Sequence, residues 1–223
     1  SSAASDVYKR QAENAEITLQ GSDIPFVGRG GFKLAYAIEQ YHLDLHGMVC
    51  MDVGASTGGF TDCMLQNGAK KVYAVDVGHG QLAESLRRDS RVLNWEKTDI
   101  RHVTLEQLER PLDLASVDVS FISLRIVLPS VTALLRQEGM AIVLIKPQFE
   151  AGRENIGKNG LVTSPKIHRC VLEQMLQLFA DLQLSLRFLS PSPILGGSGN
   201  REFLAVLQKT DSPGISVEWD NLF

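Results

Sequence analysis

The feature that most constrains the fold is a regular alternation of apolar runs with helical patterns along nearly the whole chain. The runs have the length and composition of buried strands, and the first of them leads into the glycine-rich stretch GASTGG. Strands that alternate with helices form a mostly parallel sheet with helices on both faces. Seven runs are predicted to be strands: 49–54, 71–78, 91–100, 115–121, 141–149, 184–190 and 202–209.

The last two runs have only a loop between them, and no helical pattern. Because parallel neighbours need a long crossover, these two strands are expected to pair antiparallel. The chain is therefore predicted to be α/β, with a mostly parallel sheet and an antiparallel last strand. Helices are predicted over 30–41, 60–67, 81–88, 130–139 and 166–182, the fourth with Pro129 in its first turn and the fifth capped by Ser164 and Pro165.

Composition and charge narrow the class of protein. The 223 residues are 44% hydrophobic and 22% charged, which suits one globular domain. We expect a tail over 1–24, the domain over 25–210 and a second tail over 211–223. The net charge of −4 argues against an autonomous nucleic-acid binder, without excluding a local basic patch.

Three cysteines without a C-x-x-C motif, and five histidines without a cluster, predict reduced thiols in a cytoplasmic protein with no metal site. The three cysteines lie among apolar neighbours and are expected to be buried. No signal peptide is expected, and no apolar run approaches the roughly 18 residues of a membrane span.

An ionisable residue stands at or near the end of each of the first five predicted strands: Asp52, Asp76, Asp99, Asp118 and Lys146. In open α/β sheets the carboxyl edge of the strands holds the ligand crevice. One such residue is ordinary, because a strand must end somewhere polar. Five in succession predict a functional site at this edge.

The glycines after the first strand indicate which ligand binds there. Gly54, Gly58 and Gly59 do not form G-x-G-x-x-G, so the fingerprint of a dinucleotide site is missing. Asp76 is placed to accept hydrogen bonds from ribose hydroxyls, and Asp99 to accept one from an adenine amino group. A nucleoside without a pyrophosphate fits this set, and S-adenosylmethionine is the common one.

Lys146 ends an apolar run and precedes Pro147. A strand-end lysine can simply extend its amine to solvent. Alternatively the amine is partly buried, which favours its neutral form and makes it a usable general base. Its expected neighbour in space is Asp118, one strand away.

Six stretches, taken together, resemble the TlyA (haemolysin A-like) family of ribosomal RNA 2′-O-ribose methyltransferases, within the FtsJ-like class. They are VGRGGFKL (27–34), DVGASTGGFTD (52–62), VDVGHGQL (75–82), VDVSFISL (117–124), IKPQFEAGR (145–153) and GGSGNREFLAVL (196–207). The resemblance implies a Rossmann-like class I methyltransferase fold and S-adenosylmethionine as cofactor. It also implies a catalytic tetrad of Lys33, Asp118, Lys146 and Glu202.

The resemblance and the strand ends together give the remaining site candidates. Arg29, Arg153 and Lys158 are expected to contact ribosomal RNA, although a solvated charged loop would explain the last two equally well. The small RNA-binding module that the family carries before this domain is expected to be absent from the tail. The expected cofactor-binding residues are Asp52, Gly54, Ala55, Ser56, Gly58, Phe60, Asp76, Val77, Asp99, Ile100 and Asp118.

Three other functions remain open at this point. An NAD-dependent oxidoreductase is disfavoured by the missing fingerprint. A membrane-active haemolysin without enzymatic activity is disfavoured because no basic amphipathic helix or apolar span is visible. An inactive cofactor-binding scaffold is disfavoured by the four tetrad matches.

Overall fold

The computed structural model describes residues 26–223, so the predicted tail over 1–24 lies outside the described residues. The strands are β1 (Val49–Val53), β2 (Lys71–Val75), β3 (Val92–Trp95), β4 (Leu112–Val117), β5 (Leu135–Ile145), β6 (Leu184–Pro191) and β7 (Phe203–Lys209). The helices are α1 (Gly30–Tyr41), α2 (Gly59–Gln66), α3 (Glu84–Arg87), α4 (Leu124–Leu134), α5 (Pro147–Glu150) and α6 (Pro165–Asp181). Short 3-10 turns cover Ile100–His102, Leu105–Gln107, Arg153–Asn155, Lys158–Gly160 and Trp219–Asn221.

The seven strands form one sheet in the order β3-β2-β1-β4-β5-β7-β6. Strands β1 to β5 pair parallel with one another. Strand β7 inserts between β5 and β6 and runs antiparallel to both. The predicted architecture is therefore confirmed, including the antiparallel last strand. The order reverses direction at β1, which makes the carboxyl edge of β1 and β4 the expected ligand crevice.

Both faces of the sheet are covered by helices. Alternate residues of β1 point to opposite faces, so Met51 belongs to one apolar cluster and Cys50 to the other. Helices α4 and α6 pack on the first face, and helices α1 and α2 on the second. Buried parallel strands need this double cover, which explains why their sequences are almost continuously apolar.

The fourth predicted helix was placed six residues too late. Helix α4 begins after Ser123, contains Pro129 in its interior and ends before β5 starts. Its N-terminus is capped by two side-chain acceptors. Ser123 Oγ accepts a hydrogen bond from Arg125 N, and Glu150 Oε1 accepts one from Leu124 N at 2.8 Å. Because Glu150 lies 26 residues further along the chain, no local pattern could reveal that cap.

The strand boundaries also differ from the prediction, most of all in the third, fourth and fifth strands. The third strand stops at Trp95, where its parallel pairing with β2 ends. The fourth runs over Leu112–Val117, because Phe121 has a φ of 62° and cannot continue a strand. The fifth runs over Leu135–Ile145, and Pro147 then opens a helix. As a result Asp118 and Lys146 each lie one residue beyond a strand end.

The C-terminal segment packs against the domain. Ile215 N donates to the carbonyl of Leu186 in β6, and Leu222 is buried in the apolar cluster of the first face. The predicted cap of α6 is confirmed by Ser164, whose Oγ accepts from Ile167 N. Cys170 on α6 is exposed, contrary to the expectation that all three cysteines are buried. Within residues 26–223, no helix is long and apolar enough to cross a membrane.

Candidate active site

Asp118 and Lys146 form an ion pair at the carboxyl edge of the sheet. Their strands β4 and β5 are parallel neighbours, so residues that follow the two strand ends are brought together. Lys146 Nζ lies 2.6 Å from Asp118 Oδ1, and the lysine side chain is 10% exposed. The amine is therefore held by a carboxylate instead of extending into solvent.

A second lysine–carboxylate pair, between Lys33 and Glu202, forms another wall of the same site. Lys33 Nζ on α1 donates to Glu202 Oε1, which directly precedes β7, at 2.9 Å. The side chains are 11% and 3% exposed, so neither is a solvated surface charge. All four residues of the expected tetrad line one open cavity of about 990 Å³.

Two further polar side chains in this cavity were not predicted. Ser120 Oγ accepts a hydrogen bond from Lys146 Nζ at 3.2 Å. Gln148 Nε2 donates to Glu202 Oε2 at 3.4 Å, and Gln148 Oε1 is a buried acceptor without a partner among the described residues. Ser120 lies in the motif VDVSF and Gln148 in the motif IKPQF, but only the fold shows which neighbour each residue contacts.

A smaller cavity of about 390 Å³ lies over the ends of β1, β2 and β4. Gly54 forms its floor with a φ of 86°, and a Cβ there would overlap the carbonyl oxygen of Asp118. Only glycine fits that turn. Of the expected cofactor-binding residues, the walls contain Gly54, Ser56, Asp76, Val77, Asp99, Ile100 and Asp118.

The acids of the smaller cavity are held in fixed positions. Asp76 accepts from the backbone N–H of Ser56 and of Gly78, each at 2.7 Å. Arg101 donates to both carboxylate oxygens of Asp99, and these hydrogen bonds lower the pKa of Asp99 to about 2. Both carboxylates therefore offer hydrogen-bond acceptors at fixed positions in the walls of this cavity.

Four expected cofactor-binding residues do not line either cavity: Asp52, Ala55, Gly58 and Phe60. Asp52 is buried beneath the glycine turn and accepts from both the N–H and the Oγ of Thr61. Burial raises the pKa of Asp52 to about 7. Phe60 packs in the apolar cluster of the second face. All four residues are buried in the interior and do not face either cavity.

The three expected RNA contacts are all exposed at the surface. Arg153 lines the larger cavity, whereas Arg29 and Lys158 do not. The loop that carries Arg153 is anchored by Asn200, which donates to the carbonyl of Gly160 and accepts from Val162 N, each at 2.9 Å. Thus only Arg153 is brought into the walls of the site.

Phe121 is an aromatic residue of the site that the strand-end pattern did not predict. Its side chain is exposed (90%), its φ is 62°, and its ring lies 4.9 Å from that of Phe149 between centroids. It lines both cavities, which meet at Gly54, Ser56, Asp118, Ser120, Phe121 and Ile122. Two ligands, one in each cavity, would therefore touch beside Asp118.

No group of three or more histidine, cysteine or acidic side chains that could hold a metal occurs within the described part of the chain. The ionisable groups of the site are instead paired lysines and carboxylates, a set suited to orienting a hydroxyl and moving a proton.

Comparison with known proteins identifies the family. Residues 26–209 match the model of the FtsJ-like methyltransferases. The chain is 38% identical over 204 residues to the 16S/23S rRNA (cytidine-2′-O)-methyltransferase TlyA of Mycobacterium tuberculosis, covering 92% of this chain and 76% of that protein.

Solved structures superpose on this chain. A protein chain of Streptococcus thermophilus superposes with a TM-score of 0.84 at 49% identity, covering 88% of this chain and 72% of that chain. An S-adenosylmethionine-dependent methyltransferase of Mesorhizobium loti shares the fold, with a TM-score of 0.59 at 13% identity over 79% of this chain and 97% of that one. The chain therefore belongs to the FtsJ-like methyltransferase family, among the proteins related to TlyA.

Proposed function

We propose that this methyltransferase uses S-adenosylmethionine to methylate a ribose 2′-hydroxyl of ribosomal RNA. The observation that carries the proposal is the place of the Lys146–Asp118 pair, at the junction of two cavities of different character. The smaller cavity offers fixed acceptors for a nucleoside. The larger one is open, and lysines and an arginine lie in its walls, which suits an RNA strand.

A relative of this chain supports ribosomal RNA as the substrate. The TlyA protein of Mycobacterium tuberculosis is named as an enzyme that methylates cytidine 2′-oxygens in ribosomal RNA. The match covers 76% of that protein, and the four tetrad residues occupy one cavity here. A cytidine in ribosomal RNA is therefore our proposed target.

In the smaller cavity, Asp76 would accept from the ribose hydroxyls of the cofactor and Asp99 from its adenine amino group. The turn at Gly54 lets the nucleoside approach the backbone closely. S-adenosylmethionine supplies a methyl group that its positively charged sulfur already activates. Asp118 lies where the two cavities meet, so the methyl group would face the larger cavity.

The residues of the larger cavity would position the hydroxyl and assist the loss of its proton. Lys146, held by Asp118, is proposed to contact the 2′-oxygen. It would accept the proton if its amine is neutral, or stabilise the developing charge if it is not. The Lys33–Glu202 pair would orient the target ribose. An oxygen–carbon bond would form as the sulfur–carbon bond breaks, and the hydroxyl proton would pass to Lys146 if its amine is neutral or to solvent if it is not.

Contacts to the rest of the RNA would come from the rim of the cavity. Arg153 is placed to meet a phosphate, with Arg29 and Lys158 further out. The exposed ring of Phe121 beside Phe149 offers a face on which a base could stack, a contact worth about 1–3 kcal/mol per base in single-strand binders. This arrangement favours an unpaired target nucleotide.

The proposal is tested by incubating the chain with radiolabelled S-adenosylmethionine and small or large ribosomal subunits from cells that lack this protein. We expect label in the RNA, and 2′-O-methylcytidine after digestion to nucleosides and mass spectrometry. Methylation of a base, or no transfer to either subunit, would overturn the proposal.

Two of the three rival functions have direct tests of their own, and the third, an inactive scaffold, is tested by the transfer assay itself. Calorimetric titration should show saturable binding of S-adenosylmethionine and none of NAD, and the reverse result would favour an oxidoreductase. Leakage of dye-loaded liposomes at protein concentrations that support methylation would favour a membrane-active protein.

A further inference from the structure

We propose that Ser120 is a positioning residue for the transfer, and this role rests on the proposed function. Ser120 follows Asp118 by two positions in the turn after β4, and its hydroxyl accepts a hydrogen bond from Lys146 Nζ at 3.2 Å. It lines both cavities, so it lies at the point where donor and acceptor would meet. It is an additional polar contact of Lys146 beside the tetrad.

The valence of the lysine amine limits how many partners Lys146 can contact. An ammonium has three N–H groups, and a neutral amine has two N–H groups and one lone pair. Asp118 lies 2.6 Å from the amine as its ion-pair partner, and Ser120 accepts one of its N–H groups at 3.2 Å. A third position of the amine remains, and these two contacts limit the direction in which it can point.

That remaining position is not taken by another group of the site. Glu202 is paired with Lys33 at 2.9 Å, and among the described residues Asp118 is the only acid within 4.0 Å of the Lys146 amine. The other charged side chain in the cavity walls, Arg153, is a cation and cannot accept. The third position of Lys146 is therefore available to the substrate oxygen.

With Asp118 alone, the amine could still rotate about the axis of that one contact. A lysine has four rotatable bonds and a point-like charge, so it does not fix its own direction. The hydroxyl of Ser120 removes this freedom. Reaction rates depend steeply on such alignment, and a misplacement of about 1 Å can cost on the order of 100-fold.

The turn that carries Ser120 is itself held in place. Asp118 N donates to the carbonyl of Val53 in β1 at 3.0 Å. Further along, the ring of Phe121 contacts Phe149, and Glu150 accepts from Ser123 Oγ at 2.6 Å. Ser120 lies between these anchors, so its hydroxyl is presented from a fixed backbone.

The test compares Ser120→Ala, which removes the hydroxyl, with Ser120→Thr, which keeps it. An exposed serine outside both cavities, Ser90, gives the matched control Ser90→Ala. For Ser120→Ala we expect kcat on ribosomal subunits to fall roughly 10- to 100-fold, with KM for the subunits and the calorimetric Kd for S-adenosylmethionine within about twofold of wild type. Ser120→Thr should recover kcat to within about threefold.

Three results would overturn this role while leaving the proposed function intact. They are an unchanged kcat in Ser120→Ala, an equal loss in the alanine and threonine variants, and a raised KM with unchanged kcat. A wild-type chain that transfers no methyl group to ribosomal RNA would overturn the proposed function, and this role with it. Because Ser120 is exposed, thermal unfolding of all three variants should match wild type.

Discussion

Lys33 Nζ and Glu202 Oε1 lie 2.9 Å apart although 169 positions separate the two residues in the chain. The pair joins α1 on one face of the sheet to the start of the antiparallel strand β7. Both side chains are nearly excluded from solvent. A buried charge without its partner is costly, so each residue depends on the other for the stability of the fold.

Glu202→Leu should therefore destabilise the protein by about 3 kcal/mol or more, because it leaves the Lys33 ammonium buried and unpaired. The double variant Lys33→Met/Glu202→Leu should recover most of that loss, since two apolar side chains can replace a buried pair. Methyl transfer should be lost in both. Urea unfolding and the subunit assay measure the two effects. A double variant as unstable as the single one would contradict the pairing.

Lys146→Ala should abolish methyl transfer, with a loss of about 100-fold or more, in the range attributed to positioned proton-transfer groups. The calorimetric Kd for S-adenosylmethionine should stay close to that of wild type, because Lys146 lines the larger cavity and not the smaller one. Single-turnover methylation of ribosomal subunits measures the first effect. Turnover at the wild-type rate would remove Lys146 from the chemistry.

Gly54→Ala should weaken binding of S-adenosylmethionine by roughly tenfold or more, because the new Cβ forces the Asp118 turn to move and the φ of 86° is unfavourable for alanine. Gly47→Ala is the matched control, since Gly47 has a φ of 73° but open space around its Cβ position. That variant should lose about 1–2 kcal/mol of stability and keep its affinity. Equal affinities in both variants would show that the turn does not shape the site.

Asp52 should make stability depend on pH. Burial raises its pKa to about 7, from 3.8 in the unfolded chain, while hydrogen bonds from Thr61 oppose the shift. Between pH 4 and 7 the folded protein keeps the proton that the unfolded chain releases, so the free energy of unfolding falls as pH rises.

Asp52→Asn, which keeps an acceptor for Thr61, should remove this contribution. The free energy of unfolding of the variant minus that of wild type should be larger at pH 8 than at pH 5, by on the order of 2–4 kcal/mol. Urea unfolding at the two pH values measures the difference. A difference between variant and wild type that is the same at both pH values would show that Asp52 does not change its protonation on folding.

Arg153→Gln should weaken binding to ribosomal subunits and reduce the slope of log affinity against log salt by about one, as expected for one lost phosphate contact. Lys70 is exposed and precedes β2, at the opposite edge of the sheet, which makes Lys70→Gln the matched control. Filter binding over a range of salt concentrations measures both slopes. Equal slopes for the two variants would place the RNA elsewhere.

Much of the fold follows from local pattern. The apolar runs predicted all seven strands, and the missing helix before β7 predicted its antiparallel direction, because strand length and connection length restrict the topology. The start of α4 was not predictable in this way. Its cap includes the carboxylate of Glu150 from another segment, and the interior Pro129 imitates a helix start.

The candidate site, like the fold, was predictable from the sequence only in part. The sequence alone determined which residue types stand at the strand ends, because a buried strand must become polar where it leaves the sheet. Since β4 and β5 are neighbours, these strand ends predicted that Asp118 and Lys146 lie close together. Tertiary structure alone decided that Lys33 meets Glu202, that Ser120 contacts Lys146 and that Asp52 lies below the cavity. Such contacts depend on the packing of helices and turns from distant segments, and no sequence spacing encodes those distances.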